Sequence, residues 1–232
     1  AYYPFNGNAD DESGNGNNDT VVDGATLTSD RFGKEDSAYL FDGNRSSIYA
    51  TNNLVSNQFT ISLWLKPRNN DRGDFLWLGY PNTDRSIVLQ IDRDQTIYCG
   101  YFNYLASRTG NGIPPTQIER GKHSHLVITS DGEKLDGFLN GSSFGSVPLN
   151  GEPLIDGDYL VIGNLFAGKE KSFSGSLDQV RVYNRALSNE EVAALYTPAP
   201  PSITHTVTQP AIDPETDTDG DGVLDIHETN TG

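Results

Sequence analysis

Gly175-Ser-Leu-Asp-Gln-Val-Arg-Val-Tyr-Asn-Arg-Ala-Leu-Ser-Asn-Glu-Glu-Val-Ala-Ala-Leu-Tyr196 changes its period halfway along. Ser176 to Tyr183 is a β-branched and aromatic run of strand length. Ser188-Asn-Glu-Glu191 is then a capping box: the Ser hydroxyl accepts from the N3 amide, and the Glu carboxylate reaches back to the N-cap. Val192, Leu195 and Tyr196 follow on one face at helical spacing. The stretch predicts a strand closed by one short helix. Within the strand, Asp178 interrupts apolar sequence, and a buried carboxylate must be paired or metal-bound. Two readings stay open, a structural ion or a salt bridge to Arg181 or Arg185.

Outward from this point, similar runs recur between Gly, Asn and Asp clusters: Ala38 to Phe41, Phe59 to Lys66, Phe75 to Leu78, Ser86 to Asp92, Ile97 to Phe102, Leu126 to Ser130, Lys134 to Leu139 and Tyr159 to Ile162. Such spacing describes an all-β, antiparallel two-sheet sandwich. Asp131-Gly132 and Asn140-Gly141 supply the positive φ that tight hairpins need, so residues 126–147 should form a hairpin ladder. After Tyr196, Thr197-Pro-Ala-Pro-Pro201 and the Thr-rich stretch beyond it cannot build a core and predict an extended linker. The domain reading is therefore a sandwich over 1–197, a linker over 198–212 and a final segment over 213–232.

That segment carries acidic side chains at positions 1, 3, 5, 9 and 12 of a loop: Asp217, Asp219, Asp221, Asp225 and Glu228. Hard divalent cations take several oxygen ligands, the glycine at position 6 (Gly222) permits the bend, and a Glu at position 12 closes the shell with two oxygens. Calcium is the expected cofactor, against the alternative of a disordered acidic tail. Pro210 and Pro214 leave no room for the helix pair of an EF-hand. The wording of residues 213 to 228 resembles a thrombospondin type 3 calcium repeat, which in bacteria often occurs as a spacer in secreted or surface proteins.

The 232 residues allow one sizeable sandwich with an appendage, and the formal charge of −16 argues against nucleic acid and anionic membranes as partners. Cys99 is the single cysteine, has no basic neighbour and reads as a buried thiol. No run of about 18 apolar residues marks a membrane span. The N-terminus opens directly into folded-looking sequence, which we read as a mature extracellular fragment whose targeting segment has been removed, with a cytosolic protein as the alternative.

Several phrases together resemble laminin G-like, concanavalin A-like jelly-roll domains: Tyr3 to Gly16, Tyr39-Leu-Phe-Asp-Gly43, Phe59 to Pro67, Ser130-Asp-Gly132, Leu139-Asn-Gly141 and Gly175 to Ser188. The resemblance spans about residues 1 to 197 and is weakest over 68–122, where members of the family differ in ligand. It implies a jelly roll with a structural calcium where the N-terminal strand, an early Asp-Gly turn and a late Asp meet, here Asn6, Asp42-Gly43 and Asp178. The fold also houses glycoside hydrolases and polysaccharide lyases. The Glu-x-Asp-x-Glu string of the laminarinase and agarase branches is absent, and Asp92-Arg-Asp94 is only a distant imitation. His123-Ser-His125 offers two imidazoles on one strand face, without a signature that would make them lyase or metal groups.

Aromatic residues concentrate between 75 and 104, interleaved with Arg, Asn and Asp. Sugar rings stack on flat aromatics, and their hydroxyls pair with amides, carboxylates and guanidinium groups. Trp77 and Tyr80 are the expected platform, with Arg85, Tyr98, Tyr104 and Arg108 around them. Strand alternation sends Tyr98 to the solvent side if Ile97 and Cys99 are core, while Trp64 reads as core. The expected function is a noncatalytic, calcium-stabilised carbohydrate-binding module of a secreted or cell-surface bacterial protein, with a polysaccharide or glycan as partner. A structural or adhesive domain that binds surface proteins is the alternative, and a lyase or hydrolase of the same fold is third.

Overall fold

The computed structural model describes residues 1–17, 20–51, 56–68, 72–79, 86–102, 112–149, 159–164 and 172–196. Contacts divide the chain into Ala1–Ala199 and Pro200–Gly232. The second unit, with most of the expected linker and the whole calcium loop, lies outside the described residues.

Fifteen strands and one helix are described: β1 (Tyr2–Tyr3), β2 (Val21–Asp23), β3 (Thr26–Thr28), β4 (Ala38–Asp42), β5 (Ser47–Thr51), β6 (Gln58–Pro67), β7 (Gly73–Gly79), β8 (Ser86–Ile91), β9 (Thr96–Phe102), β10 (Ile113–Gln117), β11 (Ser124–Asp131), β12 (Lys134–Leu139), β13 (Ser142–Pro148), β14 (Tyr159–Ile162), β15 (Ser174–Tyr183) and α1 (Asn189–Leu195). The first sheet runs β13-β12-β11-β6-β15-β4-β3, with β1 also on β15, and the second runs β10-β9-β8-β7-β14-β5-β2. Each strand pairs antiparallel with its neighbours, giving the expected jelly-roll-like sandwich.

Alternation builds the core. Phe59, Ile61, Leu63 and Leu65 of β6 point between the sheets, as do Ile87, Leu89 and Ile91 of β8 and Ile97 and Cys99 of β9. A bulge between Asp74 and Leu76 lets both Phe75 and Leu76 reach that core. Trp64 is buried as expected but on the other side of β6, outside the inter-sheet core. The hairpin ladder forms over β11, β12 and β13, with Asn140 (φ 51°) and Gly141 (φ 77°) making the tight turn.

The capping box at Ser188 and Glu191 starts α1 as its sequence predicts. Val192 and Leu187, with Leu195 beside them, pack against Val127 and Phe138 on the outer face of the first sheet. Complete burial of Val192 contributes roughly 1.5–3 kcal/mol, which a helix of this length needs because isolated short helices are marginal in water.

Candidate functional site

The outer face of the second sheet is set by the same alternation that fills the core. With Ile87, Leu89, Ile97 and Cys99 directed inward, Ser86, Val88 and Gln90 of β8 and Tyr98 and Gly100 of β9 face away. Register aligns Asp74, Gln90 and Tyr98 in one row across β7, β8 and β9, and Trp77, Val88 and Gly100 in the next. Tyr98 is 40 % exposed, whereas Asp74 and Gln90 are buried. Beside Tyr98, a Cβ added at Gly100 would stand in ordinary van der Waals contact with Gly112 Cα at 3.8 Å, so the neighbouring position is lined by backbone. The row thus presents one exposed aromatic residue, on whose ring a sugar face can stack, with a buried amide and a buried carboxylate further along it.

Trp77 departs from expectation. It is only 2 % exposed, packed with Val161 and flanked by Tyr49 and Val88, and it offers no free platform. The side chains that enclose it come from three other strands of the same sheet, Val161 of β14, Val88 of β8 and Tyr49 of β5. Tyr80, Arg85, Tyr104 and Arg108 lie outside the described residues.

The residues proposed for a calcium ion in the sandwich are not brought together. Asp42 pairs with Ser174, and Asp178 lies four residues further along β15, about 13 Å at about 3.3 Å per residue. Asp42 Oδ1 accepts from Asn44 N at 2.7 Å and Ser46 Oγ at 2.8 Å, closing the turn that Gly43 (φ 79°) completes. Asn6 Oδ1 accepts from Lys34 Nζ at 3.0 Å. Among the described residues, no group of three or more His, Cys, Asp and Glu is placed to hold a metal ion.

Asp178 has a different partner from those expected. Its Oδ2 lies 2.6 Å from Arg31 Nη1, with both side chains 4 % exposed. The Arg31 guanidinium is held between the rings of Phe32 (4.2 Å) and Trp64 (4.5 Å), and its Nη2 donates to Gln179 Oε1. Burial pushes the Asp178 carboxyl up to about 6, and Arg31 opposes that rise. Arg181 instead stands over the Tyr2 ring, and Arg185 pairs with Glu191 through two 2.7 Å bonds. A buried carboxylate was legible in the sequence, but its partner lies 147 residues away, and no local pattern marks Arg31.

The remaining polar candidates have structural work. Asp92 Oδ1 accepts from Arg93 N and Asp94 Oδ1 from Thr96 N, capping the turn between β8 and β9. The buried Cys99 thiol is pushed up to about 12, which keeps it protonated. His125 is fully buried with Nε2 2.9 Å from Ser62 Oγ. Burial first, then Arg181 and Arg31, lower its imidazole to about 4; burial, Lys66 and Arg31 do the same for His123. Asp11 accepts from Tyr2 N, Ser13 N, Ser13 Oγ and Asn17 Nδ2, and ties the N-terminal loop to β1.

Among the described residues, no helix is long and apolar enough to cross a membrane. Among solved structures, the chain is similar to domain 4 of AbnA, a GH43 extracellular arabinanase from Geobacillus stearothermophilus, in complex with arabinotriose: 23 % identity, TM-score 0.63, covering 85 % of this chain and 97 % of that one. It is also similar to the binding domain of Paraclostridial Mosquitocidal Protein 1, at 24 % identity and TM-score 0.62, covering 82 % and 49 %. Adhesion G-protein coupled receptor V1 of Danio rerio is 26 % identical over 177 residues, and the match spans 66 % of this chain but 3 % of that protein. The model of the concanavalin A-like lectin/glucanases superfamily matches residues 42–193, from the Asp-Gly turn that ends β4 to the middle of α1. With that match laid over two antiparallel sheets and a capped closing helix, the chain belongs to the concanavalin A-like lectin/glucanases superfamily.

Proposed function

We propose that the sandwich is a noncatalytic carbohydrate-binding module of a secreted or cell-surface protein, with Tyr98 as the ring on which a sugar stacks. The observation that carries this reading is the exposed Tyr98 residue on the outer face of the second sheet, in register with Gln90 and Asp74. Support comes from the arabinanase domain of similar fold, which is described with a bound arabinotriose. Retention of the chain on a panel of algal, plant and microbial polysaccharides tests it, with reducing and unsaturated ends assayed in parallel. On the glycan retained, Tyr98→Ala should weaken binding roughly tenfold, the loss of about 1.4 kcal/mol of ring contact, while Tyr98→Phe stays close to wild type. Full retention by Tyr98→Ala would move the site elsewhere, and released ends would replace the noncatalytic reading with a lyase or hydrolase.

The adhesive alternative, a domain that binds surface proteins, draws on the buried Trp77 and on the likeness to an adhesion receptor. Failure to retain any glycan would favour it.

We also propose that calcium binds the loop of Asp217, Asp219, Asp221, Asp225 and Glu228, whose oxygen spacing suits a hard cation. Calorimetric titration of the full chain should reveal this ion, and Glu228→Gln, which removes the two-oxygen ligand, should weaken it by roughly tenfold or more. An unchanged titration would remove Glu228 from the shell.

A further inference from the structure

The outer face of the first sheet holds rings and charges that the proposed glycan site does not use. His125 of β11 lies directly across from Trp64 of β6. The imidazole stacks on Trp64 at 4.9 Å and on Tyr196, just after α1, at 6.2 Å; Trp64 and Tyr196 are 5.6 Å apart. Tyr196 also lies over the β12–β13 turn, where a Cβ at Gly141 would come within 3.3 Å of its Cβ. Among the described residues, His125 Nδ1 and Trp64 Nε1 are both buried without a hydrogen-bond partner.

The groups around the imidazole come from every neighbouring element. Ser62 and Trp64 face it from β6, Tyr196 from the end of α1, and Arg181 of β15 and Arg31 from the β3–β4 connection bring positive charge. His123 lies two residues away on the same chain segment. Asp178 is already paired with Arg31, while Glu190 and Glu191 of α1 are engaged with Ser188 and Arg185. A proton added to His125 would therefore create a buried cation beside two guanidinium groups, with an N–H that has no acceptor. Relief cannot easily come from β11, which pairs with β6 over eight residues and with β12 over five. Tyr196 is held more weakly, by ring stacking and one 3.2 Å backbone bond to Ala193 O.

We propose that these groups form an acid-sensitive latch: protonation of His125 releases Tyr196 and the end of α1 from the outer face of the first sheet, while the sandwich stays folded. The sign follows from burial. The latched imidazole is held near 4, below the ordinary 6.5, so the released state takes the proton more readily. The latch is at full strength above about pH 6.5 and is lost as pH falls through about 4, its equilibrium shifting by up to roughly a few hundredfold. Asp178, raised to about 6 by burial, also gains a proton in this window, and because the buried state binds that proton more readily, its titration opposes release and the loss must come from His125.

Hydrogen exchange of the full chain, corrected for intrinsic rates, tests the latch. Protection of α1 amides should fall roughly tenfold or more between pH 6.5 and 4 while β6 and β11 keep theirs. His125→Phe, which retains a stacked ring and cannot titrate, should abolish the fall. Unchanged α1 protection in the wild type, the same fall in His125→Phe, or simultaneous loss from β6 and β11 would each overturn the latch. Should His125→Phe fail to fold, NMR titration of the wild-type imidazoles decides: release must share the midpoint of His125, and a midpoint that follows His123 or Asp178 rejects the assignment.

Discussion

Replacing Asp178 by alanine should destabilise the sandwich by about 3–5 kcal/mol, by the same amount in calcium and in chelator. The cost arises because Arg31 would stay buried between Phe32 and Trp64 with its carboxylate partner gone. For a domain of this size, that corresponds to a fall in Tm of roughly 10 °C. Urea denaturation followed by circular dichroism, with and without calcium, measures it. Asp178→Leu combined with Arg31→Met should recover most of the loss, since replacing both members of a buried pair by apolar groups is often neutral. A calcium response that disappears with Asp178 would instead return an ion to this position.

The second large effect is expected at Gly163, immediately after β14. Its φ of 89° disfavours any side chain, and a Cβ there would stand 1.9 Å from Phe41 Cδ1 and 2.1 Å from Phe41 Cε1. Phe41 cannot yield easily, being fully buried and packed against Phe173. Nor can the backbone, because Gly163 N donates to Phe75 O and its carbonyl accepts from Phe173 N, both at 3.0 Å. Left-handed strain of about 1–2 kcal/mol and overpacking of about 1–3 kcal/mol together predict a loss of about 2–5 kcal/mol for Gly163→Ala. Gly33→Ala is the control: φ is 82°, but no heavy atom lies within 4 Å, so only the backbone term applies. Thermal melts of the two variants separate the terms. Equal losses would remove the Phe41 clash from the account, and partial rescue of Gly163→Ala by Phe41→Leu would support it.

These two residues illustrate different limits of sequence reading. Gly163-Asn164 can be read as a turn pair, but the constraint on Gly163 comes from a ring on β4 more than a hundred residues earlier. Asp178 could be recognised as a carboxylate in need of a partner, but the nearby Arg181 and Arg185 were the natural candidates, and both are engaged elsewhere. A bulge between Asp178 and Arg181, with Gln179 at φ 49°, interrupts the strand register that a simple alternation would project.

What the amino-acid sequence determined by itself is local: the strands and their two faces, the Asn140-Gly141 hairpin, the capping box of α1 and the solvent-facing side of Tyr98. Each depends on interactions a few residues apart, where side-chain period, turn geometry and capping chemistry act directly. Alternation assigns a side chain to a face, but it does not reveal what covers that face. Only the tertiary structure decided that Trp77 is enclosed while Tyr98 stays exposed, that Trp64 packs outside the inter-sheet core, and that Arg31 is the partner of Asp178. Those outcomes depend on strand order and on contacts between distant segments, which the fold creates when it closes the two sheets over one core.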